Sequence, residues 1–226
     1  MLPTEKQKMQ SILEEIMGLG NSLLDMNKQI LSALKNCNNK EPSEFIEIKK
    51  HSKQERYKVI DKIDNLIINI FALYTPEARD LRELIAFLKV TNEFDRIANS
   101  CNSFIRDFPQ SLSNEVDKEF ILEYAIPLQK STVNALVSAL KLIDVEDKKL
   151  VNEYYKAVVV EESNNDDLYK IIEKSLLRKT TEDISLSKDY QDIMEALRRL
   201  EKIADRALSI ASLMHYAKVG GEISKV

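Results

Sequence analysis

Between Met9 and Ala33 the apolar residues Met9, Ile12, Ile16, Leu19, Leu23, Met26, Ile30 and Ala33 recur at alternating steps of three and four. That spacing keeps one stripe of a long helix apolar, as in a helical bundle. Few residues are available to interrupt it. The 226-residue chain holds four Gly, five Pro and no Trp, and turn-poor chains of this size are helical. Gly18 and Gly20 each weaken the first helix by roughly 1 kcal/mol relative to Ala. The segment NCNNKEPS, residues 36–43, ends it, because clustered Asn and a Pro favour turns.

The rhythm then repeats. Ile60, Ile63, Ile67, Ile70 and Tyr74 give a second helix that stops at Thr75. The string TPEA predicts an immediate restart, with Thr75 as cap, Pro76 at the first helical position and Glu77 near the positive end of the helix dipole. A third helix is expected to reach Phe108, before Pro109, so that helices two and three form a tight hairpin. FPQSLSNEVD, residues 108–117, is a linker rich in turn formers. A fourth helix follows to about Leu142, interrupted or kinked at Pro127. A fifth starts near Asp144 and includes the Val run 158–160, and the loop 179–188 separates it from a sixth. The sixth carries Ile193, Leu197, Leu200, Ala204, Ala207, Ala211 and Met214 on its seam and stops at Gly220 and Gly221. The fold class is therefore all-α, with six long helices in two tandem antiparallel three-helix bundles, residues 1–110 and 111–226, related by internal duplication.

Bulk composition narrows the function. Hydrophobic residues make up 44% and charged residues 31%, and 33 basic against 37 acidic side chains leave a net charge of −4. Disorder and nucleic-acid binding are both disfavoured. No cationic leader and no apolar run of about 18 residues is present, so direct membrane insertion is not expected. Cys37 and Cys101 lie at no ligand or disulfide spacing, which fits a reduced, cytoplasmic setting.

The candidate chemistry lies in carboxylate pairs. Glu162 and Asp166 are four apart on the fifth helix, and Glu201 and Asp205 are four apart on the sixth. Each spacing puts its pair on one helix face. Measured from a turn near residue 182, Asp166 lies 16 positions before and Glu201 19 after, a mismatch of about 4 to 5 Å at 1.5 Å per residue. Four converging carboxylates repel unless a cation or protons neutralise them. Oxygen ligands suit divalent or trivalent ions such as magnesium, calcium, manganese and iron, and also zinc. The competing reading is a solvated face on which Arg198, Lys202 and Arg206 pair with Glu201 and Asp205.

The first half repeats this layout with losses. Asp95 and Asn99 stand where the sixth helix has Glu201 and Asp205, and Asp64 matches Asp166, but Ile60 replaces Glu162 and Asp61 is the nearest substitute. Neutral Asn99 brings one carbonyl oxygen and no charge, so this site is expected to hold a cation less tightly or not at all, the competing reading being a solvated polar edge. Other sites are eliminated. His51 and His215 have Ile48 and Ser212 three residues earlier, not the Glu of a ferritin-like centre. Neither has zinc-ligand spacing, and no glycine-rich phosphate loop exists. Glu44, Glu47, Asp61 and Asp64 resemble the spaced acids of all-helical pyrophosphohydrolases, but one continuous helix would hold the two pairs about 25 Å apart.

The stretch YTPEARDLRELIAFLKVTNEFDRIANSCN, residues 74–102, resembles the signature of the PhoU phosphate-signalling regulators. LEKIADRA, residues 200–207, repeats its end, and DDLY, residues 166–169, is similar to that family's acid-rich helix start. The resemblance covers both halves. It implies two three-helix bundles with multinuclear metal clusters, their ligands Glu162, Asp166, Glu201 and Asp205 in one bundle and Asp64, Asp95, Asn99 and Asp61 in the other. Ala98 and Ala204 stand where the family has Gly, and Asn99 and Ile60 where it has acids. It further implies a non-enzymatic adaptor between the ATPase of a phosphate ABC transporter and a sensor histidine kinase, at the inner membrane through protein partners and able to form a homodimer. Two alternatives stand beside it: a metal-free accessory or scaffold protein of another phosphate transporter, and a carboxylate metal-dependent hydrolase.

Overall fold

The computed structural model describes residues 3–37, 44–48, 52–112 and 115–220. Among these there are seven α-helices and no strand. Six are long: α1 (Pro3–Asn36), α3 (Lys53–Leu73), α4 (Ala78–Ser111), α5 (Lys118–Asp144), α6 (Lys148–Glu182) and α7 (Ser187–Val219). The one-turn α2 (Glu44–Glu47) follows α1, and a 3-10 turn at Ile184–Leu186 leads into α7. In the first half α1, α3 and α4 pack on one another, and in the second α5, α6 and α7 do the same. The most extensive helix contact in the molecule joins the halves, α4 against α7, with α1 against α5 beside it. One hydrophobic cluster accordingly runs through both, from Ile12 to Ala217.

The apolar seams are where the periodicity puts them. Ile12, Ile16, Leu23, Met26, Ile30, Ile63, Ile67, Ile70, Ile193, Leu200, Ala207 and Met214 are all fully buried or nearly so. The helix ends depart from expectation in four places. Thr75 and Pro76 do not start α4: residues 74–77 stay extended, the Tyr74 amide closes α3 on the Ile70 carbonyl, and the helix begins at Ala78 with φ of +48°. A reversal in four residues uses that left-handed step, which costs about 1–2 kcal/mol at a non-glycine residue. Pro109 does not stop α4, because so near the C-terminus it removes only one hydrogen bond. The loop 179–188 shrinks to a 3-10 turn because Asp183 accepts hydrogen bonds from the Ser185 amide and hydroxyl. Finally, Glu44 and Glu47 are not on one helix with Asp61 and Asp64. Phe45 between them is buried against Phe104 and Phe108 and fixes α2 as a separate turn.

Aspartates open α5 and α6 as caps. Asp117 accepts from the Phe120 amide at 3.0 Å, and Asp147 from those of Lys149 and Leu150 at 2.9 and 3.0 Å, each worth about 1 kcal/mol. Gly220, with φ of +85°, ends α7 as the sequence predicts. His51 lies outside the described residues, and His215 is a packing residue, stacked on Tyr155 and bonded to Asn152 at 2.8 Å. No helix among the described residues is long and apolar enough to cross a membrane.

The two glycines of α1 differ in a way the sequence does not show. A Cβ on Gly20 would stand 2.5 Å from Leu140 and 2.9 Å from Phe94, whereas one on Gly18 would meet nothing within 4 Å. Gly20 is thus where α1 approaches α4 and α5 closely. Gly18→Ala is expected to stabilise the protein by about 0.5–1 kcal/mol through helix propensity. Gly20→Ala should destabilise it by about 1–3 kcal/mol through overpacking. Thermal unfolding of the two variants checks this; equal effects of one sign would contradict it.

Candidate metal centre

The facing sides of α6 and α7 carry the second-half acids to one place. Ligand oxygens of Glu162, Asp166 and Asp205 lie within 4.8 Å of one another. Two oxygens on opposite sides of an ion at 2.3–2.6 Å span about 5 Å, so these three can share one cation. Glu201 is not in this group but adjoins it. Its Oε2 is buried and has no hydrogen-bond partner, and an anionic oxygen left in that condition is costly unless a cation supplies the missing interaction.

The nearby cations do not balance the acids. Lys202 bonds Asp205 Oδ2 at 2.8 Å and Glu201 Oε1 at 3.3 Å, so the solvated-face reading is right for this one lysine. Arg206 turns away to Glu93 of α4 at 3.3 Å. Lys170 reaches Asp166 only at 3.8 Å and is shared with Asp167. Four carboxylates therefore face two ammonium groups, one of them distant and exposed. The electrostatic result is visible in the carboxyls themselves. Burial raises the Glu162 carboxyl above its ordinary pKa, and the charges of Asp166, Asp205 and Glu201 push it further. Burial and then Asp205 raise Glu201 against the opposing pull of Lys202. The donor set, its convergence and its excess charge fit a hard or intermediate cation.

The first half solves the same problem with a side chain. Arg56 of α3 is buried, its side chain 1% exposed; its guanidinium donates from Nε to Asp95 Oδ1 at 3.0 Å, and Nη2 forms an ion pair with the same oxygen at 2.9 Å. Nη2 also donates to Asn99 Oδ1 at 2.7 Å, and Asn99 Nδ2 donates to Asp95 Oδ2 at 3.0 Å. A fixed organic cation thus occupies the position toward which a metal would be drawn. Asp64 is not brought into this cluster: its Oδ1 is buried and unpartnered, and burial followed by the Asp61 charge raises its pKa. Asp61 is exposed. Among the described residues no group of three His, Cys, Asp or Glu side chains converges in this half. The sequence carried the signal for Arg56: it lies on the buried stripe of α3 with Ile60, Ile63, Ile67 and Ile70, the one charge on that stripe.

Residues 16–107 match the family model for the PhoU domain, and curated relatives of that name extend over three quarters of the chain. The chain is thus similar to PhoU proteins, its residues 16–107 matching the PhoU domain. The "Phosphate-specific transport system accessory protein PhoU homolog" of Borreliella burgdorferi is 25% identical over 75% of this chain and 78% of its own length. The protein of the same description from Zymomonas mobilis is 26% identical over 75% of this chain and 70% of its own. The fold is that of solved PhoU structures. PhoU from Pseudomonas aeruginosa aligns with a TM-score of 0.78 at 20% identity, covering 96% of this chain and 99% of that one. The phosphate transport system regulatory protein PhoU from Streptococcus pneumoniae gives 0.77 at 18% identity, covering 98% and 100%.

The raised Glu162 carboxyl sets a pH dependence. The folded chain binds that proton more tightly than the unfolded chain, so keeping Glu162 ionised subtracts stability at neutral pH, and the loss disappears as pH falls through the elevated pKa to about 4.3. In chelator-treated protein, Glu162→Gln is expected to raise the melting temperature at pH 7, with the gain shrinking steadily on acidification. A gain that grew on acidification would contradict the crowding of these acids.

Proposed function

We propose that this chain is a metal-binding, non-enzymatic regulator of phosphate uptake and phosphate-starvation signalling. It works in the cytoplasm and docks at the inner membrane through proteins: the ATPase of a phosphate ABC transporter and a sensor histidine kinase, which it links. The PhoU-domain match over residues 16–107 and the printed description of its relatives as accessory proteins of phosphate-specific transport support the regulatory part. The convergence of Glu162, Asp166 and Asp205 carries the metal part. Halves 1–110 and 111–226 are read as copies of one three-helix unit. The second copy keeps a cation site and the first, with Arg56 against Asp95 and Asn99, has exchanged it for an internal ion pair.

Glu162, Asp166 and Asp205 would hold the ion, with Glu201 adjacent as a fourth donor and iron, manganese, zinc or magnesium as the ions suited to these oxygens. The bound cation would neutralise the acids and cross-link α6 to α7. Loading then stiffens the face that the two helices present, and a partner selecting the stiffened face would read metal occupancy without any chemical step.

Tagged protein purified from its own cells tests both parts. The wild type is expected to retain metal by elemental analysis and to co-purify the transporter ATPase. Glu162→Ala combined with Asp205→Ala should lose at least about nine-tenths of the metal, as removal of two of three ligands implies. Unchanged metal content removes the ligand assignment, and failure to capture the transporter ATPase or the kinase removes the adaptor role.

A further inference from the structure

Three of the buried residues on α6, Val151, Val158 and Ile172, repeat every seven positions, and the place between Val158 and Ile172 is filled by Asn165. It is fully buried. A leucine there would add apolar burial and remove a desolvated amide, so packing alone does not favour Asn. A single Asn in such a seam lowers stability but fixes the register of the helix that carries it. Here it stands between Glu162 and Asp166.

The partners of Asn165 make the register specific. Its Nδ2 donates to the Leu128 carbonyl of α5 at 2.9 Å and to Thr132 Oγ1 at 3.0 Å. Thr132 is itself fully buried, and its hydroxyl is shared between the Leu128 carbonyl at 3.0 Å and the Leu200 carbonyl of α7 at 3.2 Å. That last carbonyl belongs to the peptide bond leading into Glu201. One hydroxyl and one amide therefore tie the acid-bearing stretch of α6, through α5, to the acid-bearing stretch of α7. A second tether reaches the residue before Glu162: Ser131 Oγ donates to the Glu161 carbonyl at 2.6 Å, and Asn134 Nδ2 to Glu161 Oε1 at 3.0 Å.

We propose that Thr132 and Asn165 are positioning residues for the carboxylate cluster, a buried hydrogen-bond bridge that holds α6 and α7 in the one relative register at which Glu162, Asp166 and Asp205 converge. The internal duplication supplies a comparison. With Asp64 matching Asp166, the residue matching Asn165 is Ile63, which is buried and cannot make such a bridge. That half forms no group of three converging His, Cys, Asp or Glu side chains among the described residues. The assignment rests on the metal reading given above, and it treats the repulsion among the acids as the force that the bridge resists.

Thr132→Val keeps the volume and deletes the hydroxyl, and Thr132→Ser keeps the hydroxyl. Full-length, metal-stripped protein titrated with manganese(II) and followed by electron paramagnetic resonance reads the outcome. Thr132→Val is expected to weaken manganese affinity by about 10-fold or more at unchanged stoichiometry, as loss of an outer partner of a ligand does; Thr132→Ser should stay within about 2-fold of wild type. Equal affinity of Thr132→Val and wild type, or equal loss in both variants, would overturn the proposal. Ser131→Ala, which cuts the second tether, gives a further reading should Thr132→Val not fold: a several-fold loss supports the bridge and no loss overturns it. A wild type that binds no manganese would count against the metal reading alone. The register would still be readable in metal-free protein, where Thr132→Val should diminish the stabilisation conferred by Glu162→Gln, and an undiminished gain would overturn it.

Discussion

Burial of the apolar seams on α5, α6 and α7 forces like charges together, and the rest of the site follows from that conflict. Val151, Val158, Ile172, Leu197, Leu200 and Ala204 are all buried. Turning α6 and α7 so that Val158, Ile172, Leu197 and Leu200 join one core brings Glu162, Asp166, Glu201 and Asp205 near one another. The seams supply far more free energy than the acids remove. A buried aliphatic side chain contributes about 1.5–3 kcal/mol, while like charges on neighbouring helix turns repel by a few tenths. The fold therefore tolerates the cluster and leaves it charged.

The two halves answer the same excess of acid differently. In the first, the acid on α4 meets a guanidinium built into α3. A buried arginine with two donated hydrogen bonds, one to Asp95 and one to Asn99, and an ion pair with Asp95 needs no ion from solution and fixes the pair. In the second, Lys202 and Lys170 offset only part of the charge, and Glu201 keeps an unpartnered buried oxygen. A permanent cation makes a structural joint, and an exchangeable one makes a site whose occupancy can vary. On the function proposed above, the first half would be fixed by its own side chain and the second would respond to a cation, within one hydrophobic core.

Much of this was legible in the sequence, for a physical reason. Apolar periodicity reports which face a helix buries, and Ile12, Ile63 and Ile193 lie in the core that their spacing assigns. Spacing of four also placed the acids on common faces. Spacing cannot report how far each helix is rotated about its axis or which rotamer a side chain takes. For that reason Glu201 stands beside the group of three rather than within it, and Arg206 pairs with Glu93 on α4. Helix ends were misplaced where one local bond decides them, at Ala78 and at Asp183. Arg56 and Asn165 were missed, although each is the polar exception on an otherwise apolar stripe. Polar residues on a seam deserve the same scrutiny as paired acids.

An exchangeable cation is expected in the second half and none in the first. Crystals grown with manganese(II) and recorded on both sides of its absorption edge test it most directly. An anomalous peak is expected between α6 and α7, coordinated by Glu162, Asp166 and Asp205, and none beside Asp95 and Asn99, where Arg56 stands. No peak between α6 and α7, or peaks of equal height in both halves, would contradict it.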